Sequence, residues 1–193
     1  LNLDELKQAV SEHEGKIALI SIMHSNNEVG TLQDIAQVVK IAGQIPVHAD
    51  CVQSFGKVSL SFKQLGLTAA TISAHKVGGP LGVAALILKR GLDIEPILHG
   101  GGQERDIRSG TFNAPSIVSF AAAAKESVAQ SNQRSEIIRK LKAELISTIK
   151  KGVPDIWVNG DQEKSLPGII SITFPKTDSE GLLLLLDSEG IAC

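Results

Sequence analysis

Apolar residues along the chain alternate between runs typical of strands and spacings typical of helices. Ile17 to Met23 is an apolar run, which predicts a strand buried on both faces. Thr31 to Ala42 has apolar residues at helical spacing. Thr31 is the expected N-cap, Asp34 would support the first turn, and Gly43 would end the helix.

Further strands are expected at Pro46–Asp50, Ala69–Ser73 and Val83–Leu88, and a first helix at Asp4–His13. This rhythm predicts an α/β fold built on a mainly parallel sheet. In such sheets ligands bind at the carboxyl ends of the strands. Polar residues with catalytic potential follow the predicted strands: Asn26, Asn27, Asp50, Gln53, His75 and Lys76.

The second half of the chain changes character after a glycine-rich stretch. A long helical region is predicted from about Ala114 to Lys151, with Asn113 as its N-cap. Short strands at Trp157–Val158 and Ile169–Phe174 and a helix at Ser179–Glu189 indicate the start of a smaller α+β domain. The predicted division is a large-domain part over 1–125, a connecting long helix over 126–152, and the small domain from 153 to 193.

Composition narrows the classes of protein to consider. The 193 residues are 42% hydrophobic and carry a net charge of −2, which gives no electrostatic footprint for nucleic acid or an anionic membrane. No apolar run approaches the roughly 20 residues of a membrane helix. Two cysteines cannot form a disulfide framework, so a reducing, cytoplasmic setting is expected.

Lys76 follows a predicted strand and runs into Gly78 and Gly79. A lysine there can form a Schiff base if it is buried, although a loop lysine is more often only a solvated charge. Asp50 ends another strand and has two interpretations, a turn residue or the carboxylate that holds a proton on the ring nitrogen of pyridoxal phosphate. Gln53 would donate to the ring oxygen of such a cofactor.

The glycine-rich stretch His99 to Thr111 contains Arg105 and Arg108, which are natural phosphate or carboxylate partners. A flexible loop without function is the alternative. Its His-Gly-Gly-Gly segment is also similar to the oxyanion loop of some esterases, but the Gly-x-Ser-x-Gly elbow they need is missing. A metal site from His48, Asp50 and Cys51 is disfavoured, because neighbours along a strand point to opposite faces, and no metal is expected.

Four segments in order carry a family resemblance. They are Met23-His-Ser-Asn-Asn-Glu-Val-Gly30, His48-Ala-Asp-Cys-Val-Gln53, Ser73-Ala-His-Lys76, and His99-Gly-Gly-Gly-Gln-Glu-Arg105 continuing to Arg108-Ser-Gly-Thr111. From about Leu3 to Cys193 the chain resembles the group I (NifS/IscS-like) cysteine desulfurases, within the class V aminotransferase superfamily. The resemblance implies a fold type I enzyme dependent on pyridoxal phosphate.

The resemblance also implies roles for individual residues. Lys76 would be the Schiff-base lysine and acid–base group, with Asp50 as the pyridinium partner. Gln53 would bond the ring oxygen, Ser73 and His75 the phosphate, and His75 would flank the reacting centre. Asn27 would lie near the cofactor oxygen and the substrate. Thr111 would reach the phosphate bound in the partner subunit of a homodimer.

The implied reaction converts L-cysteine to L-alanine and passes the sulfur, as an enzyme persulfide, to an acceptor protein for iron–sulfur cluster assembly or thiolation. The family's N-terminal phosphate loop and its ring-stacking His are not found in this chain. Cys193 is not expected to be the nucleophile, and the chain alone is expected to be inactive. The rivals are another class V enzyme, such as a selenocysteine lyase or an aminotransferase, and a truncated, non-catalytic dimerising module.

Overall fold

A computed structural model describes all residues, 1–193, and contains two sheets. The main sheet consists of β1 (Ile20–Met23), β2 (Val47–Asp50), β3 (Ala69–Ser73) and β4 (Ala84–Leu88), and the small one of β5 (Trp157–Val158) and β6 (Ile172–Thr173). The helices are α1 (Leu3–Glu12), α2 (Ile35–Ala42), α3 (Phe62–Leu65), α4 (Ala114–Ala129), α5 (Ser131–Gly152) and α6 (Ser179–Ser188). None of the six combines the length and apolarity that crossing a membrane requires.

The main sheet has the order β1-β2-β3-β4. β1, β2 and β3 run parallel, and β4 pairs antiparallel with β3. The predicted α/β class with a mainly parallel sheet is therefore confirmed. The antiparallel edge was not foreseen, because the strand pattern of Ala84–Leu88 does not encode its direction.

The two faces of this sheet differ. On one face Val47, Ala49, Ala70 and Ile72 are buried against Ile35 and Val38 of α2 and Phe120 of α4. On the other face Leu19 is 52% exposed and Leu86 51% exposed. The expectation that Ile17–Met23 is buried on both faces is therefore wrong for this chain. Only one layer of helices covers the sheet, so alternate residues of β1 face outward.

Helix α2 begins later than the sequence pattern predicts. Its N-cap is Asp34, whose carboxylate accepts the N–H of Gln37 at 3.1 Å. Thr31 is not the cap, because its hydroxyl accepts the N–H of Asp161 at 3.1 Å instead. The predictions of Gly43 at the end of α2 and of Asn113 as the cap of α4 are confirmed.

The predicted helical region consists of two helices, which meet at Gln130. After β5 the segment 159–166 turns at Asp161 and lies against the large sheet. Its backbone pairs with the loop after β1, through Leu32 N–H to Lys164 O at 2.8 Å and Leu166 N–H to Gly30 O at 2.8 Å. This segment ties the last part of the chain to the carboxyl end of β1.

Candidate active site

The carboxyl ends of the three parallel strands meet at one edge of the sheet. Met23 pairs with Asp50, and Asp50 pairs with Thr71. Ser73 lies two residues beyond Thr71, and side chains two apart on a strand share a face. Asp50 and Ser73 therefore project from the same, uncovered face of the sheet at its carboxyl edge.

Asp50 is exposed and only partly engaged by the protein. One carboxylate oxygen, Oδ1, accepts the N–H of Val52 at 2.9 Å, and the backbone carbonyl accepts the N–H of His24 at 2.8 Å. Asp50 forms no ion pair, and its second carboxylate oxygen has no partner in the chain. One oxygen of the Asp50 carboxylate therefore stabilises the turn, while the other remains free to accept a hydrogen bond.

The turn after β3 carries the candidate lysine. Ala74–Val77 forms a single 3₁₀ turn that Gly78 ends. The Ser73 hydroxyl lies 2.8 Å from Nδ1 of His75, so the two side chains are joined by a hydrogen bond. Lys76 is exposed and has neither a hydrogen bond nor an ion pair. Its ammonium is therefore available to a ligand.

The loop after β2 places a second lysine near the first. Lys57 is half-buried, and its Nζ donates to Oε1 of Gln53 at 3.1 Å. Burial, and then the positive charge of Lys76, lower the pKa of Lys57. The loop after β2 and the turn after β3 also lie side by side, since a β-carbon at Gly56 would lie 3.2 Å from Cγ1 of Val77. Lys57 was not among the residues predicted from the sequence, although its spacing of four residues from Gln53 is visible there.

Two serines from distant helices hold this loop. The Ser127 hydroxyl of α4 donates to the carbonyl of Gly56 at 3.2 Å, and the Ser135 hydroxyl of α5 donates to the carbonyl of Lys57 at 2.6 Å. A β-carbon at Gly56 would lie 3.0 Å from Cβ of Ser127 and 3.2 Å from Cγ1 of Val77. The loop, the turn at 74–77 and α4 are thus in close packing.

Two titratable side chains, His24 and Cys51, are buried beneath the edge. Nδ1 of His24 lies 2.8 Å from the hydroxyl of Ser54, and burial lowers the pKa of His24. Cys51 is fully buried, and burial, with a smaller contribution from the Asp50 charge, raises its pKa to about 11. The expectation that both are packing residues agrees with their burial.

A hydrogen-bonded ladder crosses the uncovered face of the sheet. Nδ1 of His48 lies 2.8 Å from the hydroxyl of Ser21, and its Nε2 lies 2.8 Å from the hydroxyl of Thr71. Both imidazole nitrogens are therefore engaged. The ladder joins three strands directly beside Asp50, and it was not predicted from the sequence.

Asn27 lies in the loop that follows β1, at the same edge of the sheet. The loop is an Asn26-centred turn in which Oδ1 of Asn26 accepts the N–H groups of Glu28 and Val29, both at 2.9 Å. Asn27 itself is exposed and forms no side-chain hydrogen bond. The structure places Asn27 at the same edge but joins it to the other candidates by no hydrogen bond.

Thr111 is not joined to this group of residues. The glycine-rich loop makes its contacts mostly with itself, through a bridge between Leu98 and Arg108 and a hydrogen bond from Gly110 N–H to Gln103 at 2.9 Å. Thr111 is exposed and makes no hydrogen bond within the chain. Its predicted role in a partner subunit stays a prediction.

Comparison with known protein families matches residues 1–193 to the aminotransferase class-V family model. An IscS-like cysteine desulfurase of Mycobacterium tuberculosis is 40% identical over 191 residues, which is 97% of this chain and 48% of the relative. Cysteine desulfurase IscS of Dictyoglomus turgidum is 36% identical over 190 residues, with the same coverage of 97% and 48%. The chain spans about half the length of the curated relatives it matches.

Solved structures have the same fold. A NifS-like protein superposes with a TM-score of 0.92 and 37% identity, covering 100% of this chain and 52% of that one. A NifS-like protein from Rickettsia africae gives a TM-score of 0.92 and 36% identity, covering 100% and 54%. SspA in complex with cysteine gives 0.73 and 28%, covering 98% and 51%. The large-domain fold expected of type I enzymes is thereby confirmed.

Proposed function

Because this chain belongs to the class-V aminotransferase family, we propose that the complete protein is a pyridoxal-phosphate-dependent cysteine desulfurase. It converts L-cysteine to L-alanine and retains the sulfur as a persulfide. The observation that carries the proposal is the edge at which Asp50 and Ser73 share one face and the unpaired Lys76 follows. Similarity to cysteine desulfurases over 97% of the chain supports the choice of reaction.

The residues at this edge fit the cofactor. The group needs an amine for its aldehyde, an acceptor for its protonated ring nitrogen, a donor for its ring oxygen and donors for its phosphate. Lys76 has a free ammonium and Asp50 a free carboxylate oxygen. Gln53 has an amide nitrogen without a protein partner, and the Ser73–His75 pair supplies a hydroxyl and an imidazole.

Each side chain then has a defined task. When bound, pyridoxal phosphate supplies an electron sink for the negative charge that develops at the substrate's α-carbon. Asp50 holds a proton at the ring nitrogen, while its Oδ1 bond to Val52 N–H fixes the rotamer of the carboxylate. Ser73 and His75 would bind the phosphate, and Asn27 would lie near the ring oxygen and the substrate.

Lys76 is the group that moves protons. Its free amine takes the proton from the substrate's α-carbon and returns a proton in the same region, as a general acid–base group. His75, on the same turn, flanks the reacting centre. Lys57 adds a second positive charge near Lys76.

Neither Cys51, beneath the sheet edge, nor Cys193 is the thiol that receives sulfur in this proposal. Cys51 is fully buried and its pKa is raised to about 11, so it supplies almost no thiolate at neutral pH. The accepting cysteine therefore belongs to another part of the complete protein. From there the sulfur passes to an acceptor protein, in the cytoplasm, for iron–sulfur cluster assembly or thiolation.

A homodimer completes the proposal. Two apolar side chains are almost fully exposed, Leu81 at 82% and, just before the glycine-rich loop, Ile97 at 92%. Apolar surface of this kind is typical of an interface between subunits. Thr111, which has no partner within the chain, would reach the phosphate bound by the second subunit.

The test is Lys76→Ala in the complete protein, with Lys63→Ala as the matched control on an exposed surface lysine. Purified wild type should show the visible absorption of lysine-bound cofactor and form alanine from cysteine. Lys76→Ala should lose both, and Lys63→Ala neither. A wild-type protein that binds no pyridoxal phosphate would contradict the proposal, and one that binds it but acts only on another amino acid would indicate a different class-V enzyme.

A further inference from the structure

Lys57 is a half-buried lysine at the candidate site that forms no ion pair. Its Nζ has a single hydrogen-bond partner, Oε1 of Gln53 at 3.1 Å, and it forms no ion pair. Removing an ammonium from water is unfavourable unless other groups compensate. A neutral amide compensates only in part, which agrees with the lowered pKa of Lys57.

The backbone around Lys57 keeps the side chain in this place. Its N–H donates to the carbonyl of Ser54 at 3.0 Å, and its carbonyl accepts the Ser135 hydroxyl at 2.6 Å. Ser135 is 78 residues away along the chain, so α5 helps to position the lysine. The charged groups around it are Lys76 on the side of the site, and Glu136, Arg139 and Lys140 of α5 around the adjoining surface pocket.

The contact between Lys57 and Gln53 determines which end of the amide is used. An ammonium has three donors and no acceptor, so it binds only the oxygen of a glutamine side chain. With Oε1 bonded to Lys57, the Nε2 group lies at the opposite end and donates to no protein atom. The free end of the Gln53 amide is thus a hydrogen-bond donor and not an acceptor.

We propose that Lys57 is a positioning residue, which orients the Gln53 amide so that its NH₂ group donates to the phenolic oxygen of the bound cofactor. This inference rests on the proposed function, because it requires pyridoxal phosphate at Lys76. Lys57 does not touch the cofactor in this scheme. It acts through Gln53, and without it the amide rotates freely and presents either end.

The experiment follows the pH titration of the visible absorption of bound cofactor in the complete protein, without any substrate. A donor to the phenolic oxygen stabilises the deprotonated form, so its loss raises the titration midpoint. Lys57→Met should raise the midpoint by about one pH unit, the scale of one charge-assisted hydrogen bond. Lys57→Arg, which keeps a cationic donor, should titrate near the wild type, as should the exposed control Lys63→Met.

The double variant separates positioning from simple charge. Gln53→Leu alone should raise the midpoint by a similar amount, and adding Lys57→Met should raise it little further, because both changes remove the same bond. Additive shifts, or an unchanged midpoint in Lys57→Met, would overturn the inference. Should Lys57→Met not fold, an unchanged midpoint in Gln53→Leu overturns it equally. Absence of a Lys76-dependent band in the wild type would instead refute the proposed function.

Discussion

Gly56→Ala tests whether the loop after β2 packs closely against α4 and the 3₁₀ turn Ala74–Val77. Gly56 is buried and has φ +70°, a region that is strained for alanine by about 1 kcal/mol. The new methyl group would lie 3.0 Å from Cβ of Ser127 and 3.2 Å from Cγ1 of Val77, closer than ordinary contact. Such overpacking costs about 1–3 kcal/mol.

A hydrogen bond is lost as well. The Ser127 hydroxyl, which donates to the Gly56 carbonyl at 3.2 Å, lies in the path of the methyl group and must rotate away. Losing a buried bond of this kind costs about 1 kcal/mol. Together these effects predict that Gly56→Ala lowers the free energy of unfolding by about 3–5 kcal/mol.

Gly15→Ala is the matched control, because Gly15 has nearly the same backbone angle, φ +73°, and a methyl group added there would meet nothing within 4 Å. It should cost only the backbone strain, about 1 kcal/mol. Urea unfolding of the complete protein, followed by circular dichroism, measures both. Equal losses of stability in the two variants would refute the close packing at Gly56. Gly56→Ala with Ser127→Ala should be less unstable than the sum of the singles, because one hydrogen bond is lost only once.

Three further predictions concern the candidate site. Burial lowers the pKa of His24 below its unfolded value of 6.5. The unfolded chain therefore binds the extra proton first, and the free energy of unfolding should fall as the pH drops below about 6.5. Urea unfolding should show a weaker pH dependence in His24→Gln and an unchanged one in the exposed control His13→Gln. Iodoacetamide should label the exposed Cys193 in the native protein. It should label the buried Cys51, whose pKa is raised to about 11, only after denaturation. Equal labelling of both cysteines in the native protein, measured by mass spectrometry, would contradict the burial of Cys51. Asp50→Asn should reduce alanine formation by orders of magnitude and shift the melting temperature little, because only one exposed acceptor atom changes; parallel losses in turnover and melting would refute the role of Asp50.

Local pattern was sufficient for elements with strong local signals. The strand Ala69–Ser73 was predicted with its observed bounds, because Thr and Ile alternate with small residues between turn-forming segments. Asn113 was predicted correctly as a cap because its carboxamide accepts a neighbouring N–H, that of Ser116, at 3.3 Å. Thr31 failed as a cap because a residue 130 positions away occupies its hydroxyl.

Other features depend on contacts that no local window contains. Ser127 and Ser135 bond the carbonyls of Gly56 and Lys57 across 71 and 78 residues. The ladder from Ser21 through His48 to Thr71 exists only because three strands pair in register. On α5, Leu141 and Leu145 are exposed while Lys142 reaches the carbonyl of Leu166, and apolar spacing along the helix does not reveal this.

The sequence alone predicted the fold class, the order of the four motifs and the candidate residues named from them. It could do so because strand pattern and residue chemistry are local properties. Three features are visible only in the folded chain. Asp50 and Ser73 share a face of the sheet, Lys76 has no partner within the chain, and Lys57 bonds the oxygen of the Gln53 amide. Each is a relation between side chains that local pattern does not define. They arise when sheet register and helix packing bring the segments together, and spacing along the sequence does not contain that information.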